Sequence, residues 1–208
     1  MHPPQKLFDN AVRFIESNSA ATIPHVGGTL LPHLAGTCDL LGRWGNSPAV
    51  CLAGLCHTAY GTDGFPTAFV DPARRDELAG VIGAEAERIV YFYDACDRSF
   101  FYPQIARRES RLRFRDRYTG EEFSPDEPTM RGFLELTFAN ELEIFRRCPL
   151  TERQRQKWRA ILSAAQKQVS PAASRFFEET LPAPRLQLFT RIARKLRSVT
   201  SHAVRAGQ

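Results

Sequence analysis

The chain has 208 residues, 43% of them hydrophobic and 25% charged, which is the composition of a globular domain and not of a disordered or fibrous chain. No apolar run approaches the roughly 18 residues that a membrane-spanning helix needs, and the opening MHPPQKLFDNAVRF lacks a basic segment followed by an apolar one, so neither an integral membrane protein nor a secretory leader is expected. The net charge of +5 belongs to the tail: Arg185, Arg191, Arg194, Lys195, Arg197 and Arg205 face no acidic partner after residue 185, which leaves 22 basic against 23 acidic residues in the rest.

The five cysteines, Cys38, Cys51, Cys56, Cys96 and Cys148, are odd in number and none has C-x-x-C spacing. That argues against a disulfide framework and a cysteine zinc site, and for a reducing, cytoplasmic setting.

In chain order, residues 5–18 carry apolar positions at helical spacing (Leu7, Phe8, Val12, Phe14, Ile15). A glycine-containing loop, IPHVGG, follows. Residues 29–44 predict a second helix with Leu30, Leu34, Thr37, Leu41 and Trp44 on one stripe and Thr29 as N-cap. The GNSP turn closes it, and Ser47–Pro48 opens a third helix over about 48–60, with Val50, Ala53, His57 and Tyr60 on one line. Residues 73–95 continue helical with an interruption near Gly83, and RLRFRDRYTGEEF, within 111–123, predicts a small β-hairpin. Helices are expected again over 127–146, 151–168 and 171–180. The expected fold is mainly α, a single helical domain over 1–184 followed by a basic amphipathic helix over 185–208 that packs on the domain or on a second copy to give a homodimer. With one aromatic residue in that tail, Phe189, nucleic acid is not an expected partner.

Two of the five histidines fall in apolar helical runs. His33 lies 13 residues before Asn46 and His57 lies 11 after it, so in an antiparallel helix pair they differ in height by only about 3 Å. Two buried imidazoles that face each other either find separate hydrogen-bond partners or share a divalent metal through their neutral rings.

The stretch HLAGTCDLLGRWGNSPAVCLAGLCHTAYGTDGF and the RRDELAGVIGAEAERIVYFYDACDRS that follows resemble the HD-domain superfamily, over roughly residues 25–98. The chain also resembles an uncharacterised HD-like family through its H-L-x-G-T, A-G-L-x-H-x-x-Y-G-T, D-R and A-N-E-L-E pieces. The resemblance implies an HD-like helical bundle in which His33, His57 and Asp97 hold one divalent transition metal (Fe, Mn, Zn, Ni or Co), with Asp94 as the alternative distal carboxylate. Thr58 stands where the superfamily has the aspartate of its His–Asp pair, which argues against two metals. Gly61 and Thr62 replace acidic residues of the related alarmone hydrolases, so that activity does not carry over. Around such a metal, His25, Asp63 and Tyr60 are the candidate catalytic groups, and Arg98, Arg43 and Asn140 the candidates for holding a small anionic substrate. The implied activity is metal-dependent hydrolysis, of a phosphoester or another anionic small molecule. The alternative is a catalytically degenerate HD-like module that binds a small molecule or a protein. Asn140 is an unusual choice inside the helical run GFLELTFANELEIF, where it either reaches the pocket with Glu141 or caps a neighbouring loop.

Overall fold

The computed structural model describes residues 2–183; the expected C-terminal helix over 185–208, and with it the dimer role, lies outside the described residues. The fold is mainly helical, as the pattern predicts, with two short antiparallel hairpins. Among the described residues no helix is long and apolar enough to cross a membrane.

Helix α1 spans Gln5–Ser17. The IPHVGG loop is a hairpin in which β1 (Pro24–His25) pairs with β2 (Gly28–Thr29), turning through Gly27 at φ 80°. Helix α2 (Leu30–Arg43) follows directly, and α3 (Pro48–Cys56) starts where Ser47 accepts a hydrogen bond from the Val50 amide with Pro48 at the first helical position. Glycine Gly54 lets the two helices approach, since a Cβ there would sit 2.4 Å from Leu41 Cδ1.

Helix α3 ends at Cys56, four residues before the sequence pattern suggests. His57 is its C-cap, and Thr58 turns the chain at φ 73°, a costly conformation for a β-branched residue. A distant side chain holds that turn: Asp94 accepts from the Thr58 amide at 2.8 Å and from the Tyr60 amide at 2.9 Å. Arg117 adds a bond to the Gly61 carbonyl at 2.7 Å.

Helices α4 (Arg75–Ile82) and α5 (Ala84–Asp94) meet at Gly83, the expected interruption. Helix α6 (Arg98–Arg107), which the pattern does not predict, is capped by Asp97. The predicted hairpin forms between β3 (Phe114–Arg115) and β4 (Glu122–Phe123). Helix α7 (Glu127–Arg147) is the central rod, buried without a break from Phe133 to Glu143, and it packs against α2, α3, α5 and α9. Helix α8 (Glu152–Ala165) starts with a Thr151–Gln154 capping box, and α9 (Pro171–Thr180) is capped by Ser170. Glu135 of α7 joins two distant loops by accepting from Asn46 Nδ2 at 3.0 Å and from the Ser170 amide.

Candidate metal centre and adjoining cavity

Packing α2 and α3 against α7 brings His33, His57 and Asn140 together. His33 Nε2 lies 3.2 Å from His57 Nε2, and Asn140 Oδ1 lies 2.9 Å from the first and 2.8 Å from the second. All three residues are nearly inaccessible to solvent.

The acceptors behind the two rings favour one arrangement of their protons. His33 Nδ1 is 2.5 Å from Glu143 Oε2, and Glu143 is also paired with Arg147, so it is an acceptor-only carboxylate. His57 Nδ1 is 2.7 Å from the Gly54 carbonyl. Carboxylates and carbonyls only accept, so both rings carry their proton on Nδ1. Burial, then the neighbouring His33, pushes the His57 pKa down to about 3, so that ring is neutral at physiological pH. Asn140 Nδ2 donates to Glu141 Oε1 at 3.0 Å, which turns Oδ1 toward the histidines.

Three lone-pair atoms therefore meet in a buried space with edges of 2.8 to 3.2 Å. A second proton on His33 would relieve two edges but leave His57 Nε2 against Asn140 Oδ1. A cation would relieve all three, and edges near 3 Å are those of neighbouring donors about 2.1 Å from an octahedral ion, shorter than the edges of a tetrahedral site. The donor set of two imidazoles and an amide oxygen, with a carboxylate and a carbonyl behind the rings, fits a first-row divalent metal.

Asp97 is not the third member. Its Oδ1 accepts from the Phe100 amide and the Ser99 hydroxyl, and its Oδ2 faces Arg115 at 3.4 Å. It is an N-cap because the chain starts a new helix at Arg98. The alternative, Asp94, spends both oxygens on the Thr58 and Tyr60 amides. Among the described residues no group of three His, Cys, Asp or Glu side chains is arranged to hold a metal, so the His33, His57 and Asp97 set expected from the sequence does not form.

Beside these three atoms opens a cavity of about 380 Å³, lined by His25, His57, Thr58, Arg98, Asn140 and Glu141 and by apolar groups such as Phe65, Phe145 and Trp158. His25 stacks on His33 with ring centroids 4.3 Å apart, and burial together with His33 lowers its pKa to about 4. Burial raises Glu141 to about 7, against the opposing charge of Arg98. The Arg98 guanidinium lies 3.9 Å from Glu141 and over the rings of Tyr93 and Tyr102.

Two other expected residues are elsewhere. Tyr60 does not point at the cavity, because the helix has already ended; its hydroxyl donates to Glu87 at 3.0 Å, beside Arg75. Arg43 is an exposed residue paired with Asp39 at 3.7 Å; ten positions along α2 from His33 places it about 15 Å away. Asp63 accepts from the Arg98 backbone amide at 3.0 Å and lines a neighbouring cavity rather than this one.

Glu143 is the residue that sequence reasoning missed. Its signals were faint: it stands three positions after Asn140, so both face the same way on α7, and Gly36 stands three after His33. A Cβ at Gly36 would lie 2.7 Å from Glu143 Oε1, so the glycine makes room for the carboxylate to reach the imidazole.

Residues 14–98 match a family described as a domain of unknown function, DUF6817. The matched segment contains His25, His33, His57 and Arg98 and stops short of Asn140 and Glu143. No curated protein matches the chain.

Proposed function

We propose that this chain is a metal-dependent hydrolase that holds one divalent transition metal through His33, His57 and Asn140 and acts on a phosphoester or another small anionic molecule. The observation that carries the reading is the convergence of three buried atoms, two imidazole Nε2 and one amide oxygen, at mutual distances of 2.8 to 3.2 Å. The amide oxygen takes the place that the HD-like resemblance gives to Asp97. A divalent ion so held supplies Lewis acidity toward a phosphoryl oxygen and acidifies a bound water.

The chain's own groups account for the rest. Glu143 and the Gly54 carbonyl lock the two rings with Nε2 inward. Glu141 holds the Asn140 amide in the matching orientation. Arg98 brings a fixed positive charge to the cavity wall to receive the anion. His25, a neutral imidazole on that wall, is the candidate to take a proton from a reacting water. Four of the five cysteines are buried, and we place the protein in a reducing compartment such as the cytoplasm.

The test is a panel of phosphomonoesters and phosphodiesters assayed with Mn²⁺, Fe²⁺, Co²⁺, Ni²⁺ or Zn²⁺. Turnover that disappears with chelator and in His57→Ala and Asn140→Ala supports the reading. Turnover unchanged by chelator and by both variants contradicts it. Thr58, in place of an acid beside His57, favours the second reading, a degenerate module; stoichiometric metal without turnover on any ester would select it.

A further inference from the structure

A second cavity, of about 510 Å³, lies against the first, and Gly64, Arg98 and Trp158 line both. Its walls are mostly apolar, formed by Tyr102, Pro103, Ala106, Ile161 and the indole of Trp158. Arg98 therefore stands on the boundary between a cavity that His25 and His57 line and a mostly apolar one that no histidine lines.

The boundary is under-satisfied. Among the described residues, Arg98 Nε and the hydroxyls of Thr58, Tyr93 and Tyr102 are buried with no hydrogen-bond partner. Thr58 lines the first cavity and Tyr102 the second, while the rings of Tyr93 and Tyr102 both lie under the Arg98 guanidinium. Buried polar groups left unpaired each cost about 1–3 kcal/mol, and donors gathered around one guanidinium are the arrangement that an anion's oxygens satisfy. Lys157, with its ammonium 5.6 Å from the Trp158 ring centroid, adds positive charge on the second chamber's side. Of the acidic groups, Asp63 accepts from the Arg98 amide, and Glu141 accepts from Asn140 and lies 3.9 Å from the Arg98 guanidinium, so the anion would share Arg98 with it.

We propose that the ligand of this site is an amphiphilic anion, a phosphate or carboxylate carrying an aromatic or similarly bulky apolar body, with its anionic end on Arg98 and its body in the second cavity. This rests on the proposed metal centre only for what happens to the anionic end; binding of the body stands on Arg98 and the apolar walls. A cavity of this size is in the range of small-molecule sites, and inorganic anions would leave it unfilled.

Trp158 provides the readout, in a Trp44→Phe background that removes the other tryptophan. Naphthyl phosphate, naphthoate, naphthol and inorganic phosphate are titrated against Trp158 fluorescence, with and without chelator. Saturable binding of the naphthyl anions at least about tenfold tighter than of either inorganic phosphate or naphthol is expected, because both an apolar body and a charge-assisted hydrogen bond are then required. Phosphate and carboxylate arms that differ identify the preferred head. Ala106→Phe, which fills the second cavity, should weaken the naphthyl anions at least about tenfold and leave inorganic phosphate unchanged; Arg98→Gln should weaken both. Equal affinity for inorganic and naphthyl phosphate, or wild-type affinity in Ala106→Phe, overturns the proposal. Naphthyl binding that persists in metal-free protein upholds it even if the metal reading has failed.

Discussion

His33 and His57, separated by 24 residues, place their Nε2 atoms 3.2 Å apart, each ring anchored from behind by a different acceptor. Both anchors turn the Nε2 atoms toward each other and toward Asn140, the arrangement that the proposed metal would satisfy. The consequences are separable by mutation.

The first concerns the anchor on His33. Glu143→Ala frees Nδ1 and lets the ring change tautomer, so metal affinity should fall about 10- to 100-fold, as for other residues that orient a ligand. Glu143→Gln keeps an acceptor and should fall between the two. Competition with a chromogenic chelator measures both.

Gly36 should matter for the same reason at one remove. Gly36→Ala puts a methyl 2.7 Å from Glu143 Oε1 and 3.0 Å from its Cγ, displacing the carboxylate from His33. The helix itself gains up to about 1 kcal/mol from the exchange. The variant should therefore bind metal more weakly without a matching loss of helix content by circular dichroism.

Asp97 separates the sequence expectation from the structure. As an N-cap, its replacement by alanine should cost about 1 kcal/mol of stability, read in urea unfolding, and leave metal stoichiometry unchanged. A loss of metal in Asp97→Ala at wild-type stability would restore it as a ligand.

Asp94 gives a pH signature. Burial raises its pKa from 3.8 to about 8, against the pull of the Tyr60 and Thr58 amides and of Arg98 and Arg117. The folded protein thus retains a proton that the unfolded chain has lost, and the group's contribution to stability is greatest below about pH 4 and is lost as pH rises through about 8. Asp94→Asn cannot ionise, so its urea midpoint should fall less between pH 5 and 8 than the wild type's, from a start lowered by one lost amide bond. Parallel pH profiles would contradict the assignment.

Parts of this arrangement were legible in the sequence and parts were not, for physical reasons. The height match of His33 and His57 follows from counting residues around the GNSP turn, because a short link between helices leaves little freedom. The early end of α3 does not, since HTAY continues the apolar pattern; the chain leaves the helix because Asp94, 36 residues away, captures the Thr58 amide. Asn140 stands out in the sequence as a poor helix former, but its partners lie 107 and 83 residues away, so only the docking of α7 on α2 and α3 brings its amide oxygen to the same point as the histidines. Asp97 was readable as a cap, immediately before Arg98–Ser99, had α6 been expected there. Pro103 inside that helix is a residue that argues against a helix there.

The most direct test is anomalous X-ray scattering from crystals of the purified protein, collected across the absorption edge of whichever metal elemental analysis finds. One peak per chain is expected, about 2.0–2.2 Å from His33 Nε2, His57 Nε2 and Asn140 Oδ1, and absent from crystals of His57→Ala. Density with no peak, and with Asn140 turned so that its Nδ2 donates to an imidazole, would contradict it.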